Sequence, residues 1–300
     1  KGWEFRTDIE AVRPKKWRLN FDFNIANNQN EILELPDNKK ETSYTFGNKR
    51  YAYKFVEGDP LGSFYGYKYE GVYQNVEETY AHDVNGNLIY DINGKPVVMK
   101  NGSDKVFPGD ARYADINGDG VIDQYDIVYI GNSNPILTGG FGFNLMYKSL
   151  GLVASFHGRA GQKVINQVRM DNEYMYGKDN QSVAVLRRWR NEGDETDIPR
   201  ALYNKGFNNL GSDRYVEDAS FLRLKTLTLK YDVNKEALKK LKIAKLQFYV
   251  TGYDLLTFNN YKGQDPEISL SWAEGVYPVF IDKASTPKPM RVAFGLNVTL

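Results

Sequence analysis

The sequence predicts an all-β fold and, within that class, a sheet of about seven strands from a transmembrane β-barrel. The first observation is composition: Tyr, Phe and Trp make up 14% of the 300 residues, yet 26% of the residues are charged. Aromatic and charged residues occur together in strands, where successive side chains point to opposite faces. The second observation is a period-two alternation of apolar and polar residues. The third is a regular alternation of short and long connections.

Each predicted strand follows from this alternation. In the last segment, apolar residues at the even positions from Met290 to Leu300 alternate with smaller or polar neighbours. The predicted strands are 3–12, 17–27, 137–148, 152–158, 221–231, 243–254 and 290–300. Segment 221–231 is less regular, because Leu222 and Leu224 are out of phase with Leu227 and Leu229. This phase break predicts a β-bulge near residues 225–226, at Lys225 and Thr226.

The connections between the predicted strands decide between two architectures. Short ones lie around 13–16, 148–151 and 232–242, whereas the long ones cover about 29–136, 159–215 and 255–288. A β-sandwich gives no reason to place every long loop at one end, so it is the less favoured alternative. An outer-membrane barrel has short periplasmic turns and long extracellular loops, and its tilted strands of about ten residues cross the bilayer.

The strand count indicates that the chain is part of a larger barrel. Bacterial single-chain barrels have an even number of strands. An open sheet would also leave unpaired strand edges in lipid. We therefore expect residues 1–300 to be the C-terminal portion of a longer barrel, with the long connections outside the cell.

Several other classes of function are disfavoured. The formal net charge of +1 argues against a nucleic-acid partner, which would require a basic surface, and the absence of cysteine excludes disulfides and thiolate metal sites. The sequence contains no Gly-rich phosphate loop, nucleophile elbow or paired-carboxylate motif. We therefore do not expect an enzyme.

The stretch "DINGDGVIDQYD", residues 115–126, has the spacing of a calcium-binding loop. The predicted ligands are Asp115, Asn117, Asp119, Val121 through its carbonyl, Asp123 and Asp126. Gly120 would make the sharp turn, and Ile122 would anchor the loop. Hard oxygen ligands favour Ca²⁺, with Mg²⁺ as a second candidate because position twelve is the shorter aspartate. An Asp/Asn/Gly-rich turn without an ion is the alternative. The expected role of the ion is to stiffen a long loop.

Four blocks of the sequence resemble one transporter family. They are "VEGDPLGSFYGYKYEGVYQ" (56–74), the segment from "GDARYADINGDG" onward (109–152), "SDRYVEDASFLRLKTLTLKYDV" (212–233) and "VTGYDLLTFNNYKGQDPEIS" (250–269). In this order they are similar to SusC-like, RagA-type TonB-dependent outer-membrane transporters of Bacteroidetes. One departure is Leu300, where the family usually ends in an aromatic residue.

The resemblance implies a function and a set of partners. It implies a 22-stranded barrel in the bacterial outer membrane, an N-terminal plug that is not in this chain, and a SusD-like surface lipoprotein over the barrel. It also implies TonB-dependent import of a nutrient, either an oligosaccharide or a peptide, with contacts to outer-membrane lipid and the remainder of the barrel. It assigns no substrate-binding residues. The alternative is a secreted, calcium-dependent, β-rich module that binds glycans or mediates adhesion.

Overall fold

The structure is a computed structural model. It describes residues 1–12, 16–36, 41–45, 51–239, 242–268, 271–273, 277–279, 281–284 and 286–300. The strands are β1 (Gly2–Val12), β2 (Trp17–Asn28), β3 (Glu41–Thr45), β4 (Ala52–Val56), β5 (Ser63–Gly66), β6 (Tyr69–Val72), β7 (Lys100–Asn101), β8 (Asp104–Lys105), β9 (Ala111–Tyr113), β10 (Val121–Ile122), β11 (Val128–Asn132), β12 (Leu137–Tyr147), β13 (Leu150–Ala160), β14 (Lys163–Asn166), β15 (Val216–Asp218), β16 (Phe221–Asp232), β17 (Lys245–Asn259), β18 (Ser271–Ala273), β19 (Tyr277–Val279), β20 (Ile281–Asp282) and β21 (Arg291–Thr299). Two short helices are α1 (Gln167–Asn172) and α2 (Lys235–Lys239).

Seven long strands form one antiparallel sheet in the order β1-β2-β12-β13-β16-β17-β21. This sheet confirms the predicted all-β fold and the seven predicted strands. Strands β12 and β13 are joined by a two-residue turn at 148–149, where Lys148 has a φ of 53°. Helix α2 lies in the short connection between β16 and β17. The predicted turn near residue 14 lies outside the described residues.

Three long connections join the remaining pairs of strands. We call them the first (29–136), second (161–220) and third (260–290) long connections. The third begins later than expected, because β17 continues to Asn259 instead of ending near residue 254. The reason is a bulge at Asp254, whose φ is 52°. Beyond this bulge the strand pairs again, with Leu256 opposite Leu224.

The predicted bulge in β16 is confirmed. Ser155 pairs with Thr226 and the next residue, Phe156, pairs with Leu224. Lys225 is therefore the extra residue. Because one residue is inserted, the two leucines before Lys225 and the two after it lie on the same face of the sheet.

The two faces of the sheet differ in chemistry. Cross-strand pairs such as Val250 with Phe294 and Phe248 with Leu296 build an apolar face. The side chains of this face are exposed; Phe294, for example, is 79% exposed. The opposite face carries polar pairs such as Arg6 with Asn24 and Thr228 with Thr251. In a sandwich a second sheet would cover the apolar face, but the other described sheets have only two to four strands and belong to the connections.

The buried core of the described residues lies mainly in the long connections. One cluster combines residues from all three: Tyr51, Phe64, Ile165, Met170, Tyr215 and Ile281. A second lies within the first connection and contains Tyr73, Ala81, Met99, Val106, Ala111, Tyr113 and Ile122. The connections thus pack into folded structure of their own. No helix in the described ranges has both the length and the apolar character needed to cross a membrane.

Candidate functional site

The loop at 115–126 folds as a compact turn around Asp115. Its carboxylate accepts hydrogen bonds from the backbone N–H groups of Gly118 at 2.8 Å and Gly120 at 2.7 Å. Gly120 has a φ of 81°, a left-handed conformation that is costly for residues with a Cβ. Its position in the motif therefore has a direct conformational reason.

The second half of the loop is closed by Asp126. Its side chain is fully buried and accepts hydrogen bonds from the N–H groups of Ile116 and Asp123, both at 2.8 Å. The Asp123 side chain accepts in turn from Tyr125, also at 2.8 Å. Burial raises the pKa of Asp126 above the usual aspartate value, and the nearby Asp115 acts in the same direction. A nearby cation would favour the ionised form of Asp126.

The remaining predicted ligands lie in the same loop. The Asn117 amide donates to Asp119 at 2.9 Å, and the other Asp119 oxygen accepts from the Val121 N–H at 2.8 Å. The carbonyls of Gly120 and Ile122 accept hydrogen bonds from the strand at residues 100–102. Because successive carbonyls of a strand point in opposite directions, the Val121 carbonyl points away from that strand.

The loop thus has the hard oxygen atoms that Ca²⁺ or Mg²⁺ prefers. However, in the part of the chain that the structure describes, no three His, Asp or Glu side chains are grouped as metal ligands. The carboxylates of Asp115 and Asp126 bond to backbone N–H groups instead. The loop is fixed at one point by Ile122, which is only 2% exposed. The ligand set therefore stays a prediction.

A buried ion pair ties the first long connection to the second. The Asp110 side chain is fully buried and bonds to the Arg200 guanidinium through Nε at 2.7 Å and Nη2 at 3.1 Å. The Asn208 amide donates to the same carboxylate at 3.1 Å. Trp189 packs over Gly109, where a Cβ would lie 2.3 Å from the indole ring. This contact explains why the residue before Asp110 is glycine.

A second charged cluster is centred on Glu173. Its two oxygens accept from Arg169 Nε and Arg214 Nη2, each at 2.9 Å. Arg169 also lies 3.2 Å from Glu217, and Glu217 accepts the backbone N–H of Lys262 at 3.1 Å. Glu217 therefore links the second long connection to the third.

A third cluster holds the third connection against the sheet. The Arg223 side chain, on β16, is 3% exposed and donates to Asp265 at 2.5 Å and to Glu267 at 2.8 Å. Lys288 Nζ lies 2.6 Å from Glu267. Buried charges are retained only when paired and hydrogen-bonded. These pairings fix the position of the connection over the polar face.

Several cavities lie among the described parts of the long connections, including the following three. One of about 740 Å³ borders Asn30, Tyr129 and Asn132. Another of about 460 Å³ borders Glu78, Arg112 and Asp115, beside the predicted cation loop. The third, of about 530 Å³, lies between the second and third connections. The sequence pattern identified none of them, because their walls depend on how irregular segments pack together.

Comparison with curated proteins gives one consistent family. The chain is 31% identical to TonB-dependent receptor P26 of Formosa agariphila over an alignment of 307 residues, which covers 100% of this chain and 29% of that receptor. It is 27% identical to TonB-dependent receptor SusC of Bacteroides thetaiotaomicron over an alignment of 306 residues, which covers 99% of this chain and 26% of SusC. The chain thus spans less than a third of the length of these relatives. No family model matches it.

Solved structures show the same fold. The chain aligns with a structure of the RagAB peptide transporter with a TM-score of 0.71 and 23% identity, over 99% of this chain and 29% of that chain. For the RagAB peptide importer in its open-open state the TM-score is 0.68 at 22% identity, over 100% and 28% of the respective chains. These matches confirm the predicted part of a TonB-dependent barrel. Along its whole length the chain is thus similar to part of the TonB-dependent receptors, SusC among them.

Proposed function

We propose that the chain is the C-terminal part of the barrel of an outer-membrane transporter that imports a nutrient by TonB-dependent energy coupling. The observation that carries the proposal is the seven-stranded antiparallel sheet with one continuous apolar face and one polar face. Apolar side chains that would destabilise a protein in water are stable when they contact lipid. The opposite face would then line the wet interior.

The position of the long connections supports the orientation. All three long connections lie at the same end of the strands, and the short connections lie at the opposite end. In outer-membrane barrels the long loops are extracellular and the short turns periplasmic. The folded clusters and cavities of the long connections would therefore meet external cargo first.

The similarity to TonB-dependent receptors supports a proposal for the partners and cargo. SusC-like receptors are expected to act with a SusD-like surface lipoprotein, and TonB would act through a plug outside this chain. The cargo is an oligosaccharide or a peptide; the similarity to RagAB, a peptide transporter, supports the second. The exposed apolar face does not favour the alternative of a secreted module, whose apolar side chains would be buried.

We further propose that the 115–126 loop binds one divalent cation, Ca²⁺ or Mg²⁺. Support comes from the turn at Gly120 and from the outward-pointing Val121 carbonyl, as well as from the oxygen-rich side chains. The ion would offset repulsion between Asp115, Asp119 and Asp123 and stiffen the first connection. Transport itself does not require the ion in this proposal.

The transport proposal is tested in the bacterium that makes the protein. The gene is deleted, and growth is measured with either defined oligosaccharides or defined peptides as the limiting nutrient. We expect slower growth on one class, restored by the wild-type gene, and a protein that fractionates with the outer membrane. Recovery of the protein in the culture medium without detergent would contradict the proposal.

A further inference from the structure

The cavity between the second and third long connections has the size and lining of a small-molecule site. Its volume is about 530 Å³, within the range of ordinary ligand pockets. Its walls come from α1, from the 3₁₀ helix Val183–Arg187, and from segments 262–264 and 282–284. We propose that it binds a carboxylate group of the cargo. This inference rests on the proposed transport function.

Two cations of the lining are available for such an anion. Arg187 and Lys262 both border the cavity and both are exposed. In the described ranges of the chain, neither side chain forms an ion pair, unlike Arg169 beside them. A guanidinium group can hold a carboxylate through two parallel hydrogen bonds, and an ammonium group adds a point charge.

The lining has three basic residues, Arg169, Arg187 and Lys262, and two acidic ones, Glu173 and Asp282, so its formal charge is positive. Both Glu173 oxygens already accept hydrogen bonds from arginines at 2.9 Å. In Asp282, one oxygen accepts from the Tyr261 hydroxyl at 2.6 Å and the other from the Ala284 N–H at 2.9 Å. All four carboxylate oxygens are therefore engaged within the protein. An incoming carboxylate would meet donors that are not engaged in this way.

The cavity also has neutral groups for the rest of a ligand. Asn172 and Gln264, whose side chains are amides, border it, and both residues are exposed. Amides both donate and accept hydrogen bonds, so they can pair with peptide groups or hydroxyls. A free carboxylate on a transported molecule occurs at a peptide C-terminus or on an acidic sugar. The cavity could bind the carboxylate of either kind of molecule.

The walls are held in place before any ligand arrives. Glu217 contacts Arg169 in the second connection and the Lys262 backbone in the third. Asn166, which borders the cavity, also caps α1 by accepting the Arg169 N–H at 2.9 Å. A preorganised site loses less entropy when a ligand binds. The arrangement therefore suits selective binding more than a mobile surface would.

The test compares two variants of the complete transporter. Arg187→Gln/Lys262→Gln removes both available charges from the cavity. Lys178→Gln/Lys283→Gln removes one charge from each of the same two connections, at exposed positions outside the cavity lining. Binding is measured by calorimetry on purified protein. The probes are trialanine against trialanine amide, and digalacturonate against neutral digalactose.

We expect the wild type and the control variant to bind one or both acidic probes about tenfold more tightly than the matching neutral probe. The cavity variant should lose that preference. A preference for trialanine over its amide would identify the carboxylate as a peptide C-terminus, and a preference for digalacturonate over digalactose would identify it as that of an acidic sugar. The inference is overturned if neither acidic probe is preferred, or if the preference survives in the cavity variant. Outer-membrane fractionation is measured in parallel, since its loss would instead contradict the proposed function.

Discussion

The assignment of the apolar face to lipid can be tested at Phe294. This residue is the fourth of nine in β21, near the middle of the strand, and it is 79% exposed. An arginine on the lipid face near the bilayer midplane costs about 2–4 kcal/mol. Because about 1.4 kcal/mol corresponds to a factor of ten, Phe294→Arg should lower the folding equilibrium constant by about 30-fold to 700-fold. The measurement is urea-dependent folding of the complete transporter into lipid vesicles.

The matched control is Asn297→Arg, which adds the same charge in the same strand on the opposite face. Asn297 pairs with Gln247 and donates to its side chain at 3.1 Å, among polar neighbours. This variant should lose only that hydrogen bond, about 1 kcal/mol. If Asn297→Arg were as damaging as Phe294→Arg, or more so, the assigned faces of the sheet would be wrong.

Three further predictions address topology, the cation loop and the contact between connections. An epitope inserted at Asn101 or Lys178 should bind antibody on intact cells, whereas one at Asn234 should be hidden; surface staining at Asn234 would reverse the orientation. Asp119→Ala should leave barrel assembly intact but increase proteolysis within residues 80–135, and a chelator should do the same to the wild type and nothing more to the variant. Arg200→Gln should lower the free energy of unfolding by about 3 kcal/mol, because it leaves the buried Asp110 carboxylate without its cation. Hydrogen exchange should then rise in the first and second connections but not in the sheet. Unchanged exchange would show that the ion pair does not hold the two connections together.

The strands were predictable because the sheet has one apolar and one polar face. Successive side chains of a strand point to opposite faces, so this difference appears in the sequence as a period of two. Even the bulge at Lys225 was predictable, because an inserted residue shifts the apolar phase by one. The end of β17 was not. The bulge at Asp254 is followed by two successive leucines, which hide the change of phase.

The long connections could be predicted only where their determinants are local. The turn at Gly120 follows from neighbouring Asp, Asn and Gly residues, so a motif was enough to find it. Asp110 and Arg200, in contrast, are 90 residues apart and belong to no periodic segment. Their pairing depends on how two connections pack. The same limit applies to the cavity beside Arg187, whose walls come from both the second and third connections.

The buried ion pairs explain how long irregular connections keep a defined shape above the sheet. A buried ion pair adds little net stability, because loss of hydration offsets most of the attraction. It does penalise other arrangements strongly, since a displaced partner leaves an unpaired buried charge. Asp110 imposes this constraint between the first and second connections, Glu173 within the second connection, and Arg223 between the third connection and the sheet. The expected consequence is that the cavities among the connections persist without cargo, so that selectivity for cargo resides in the unpaired side chains of their walls.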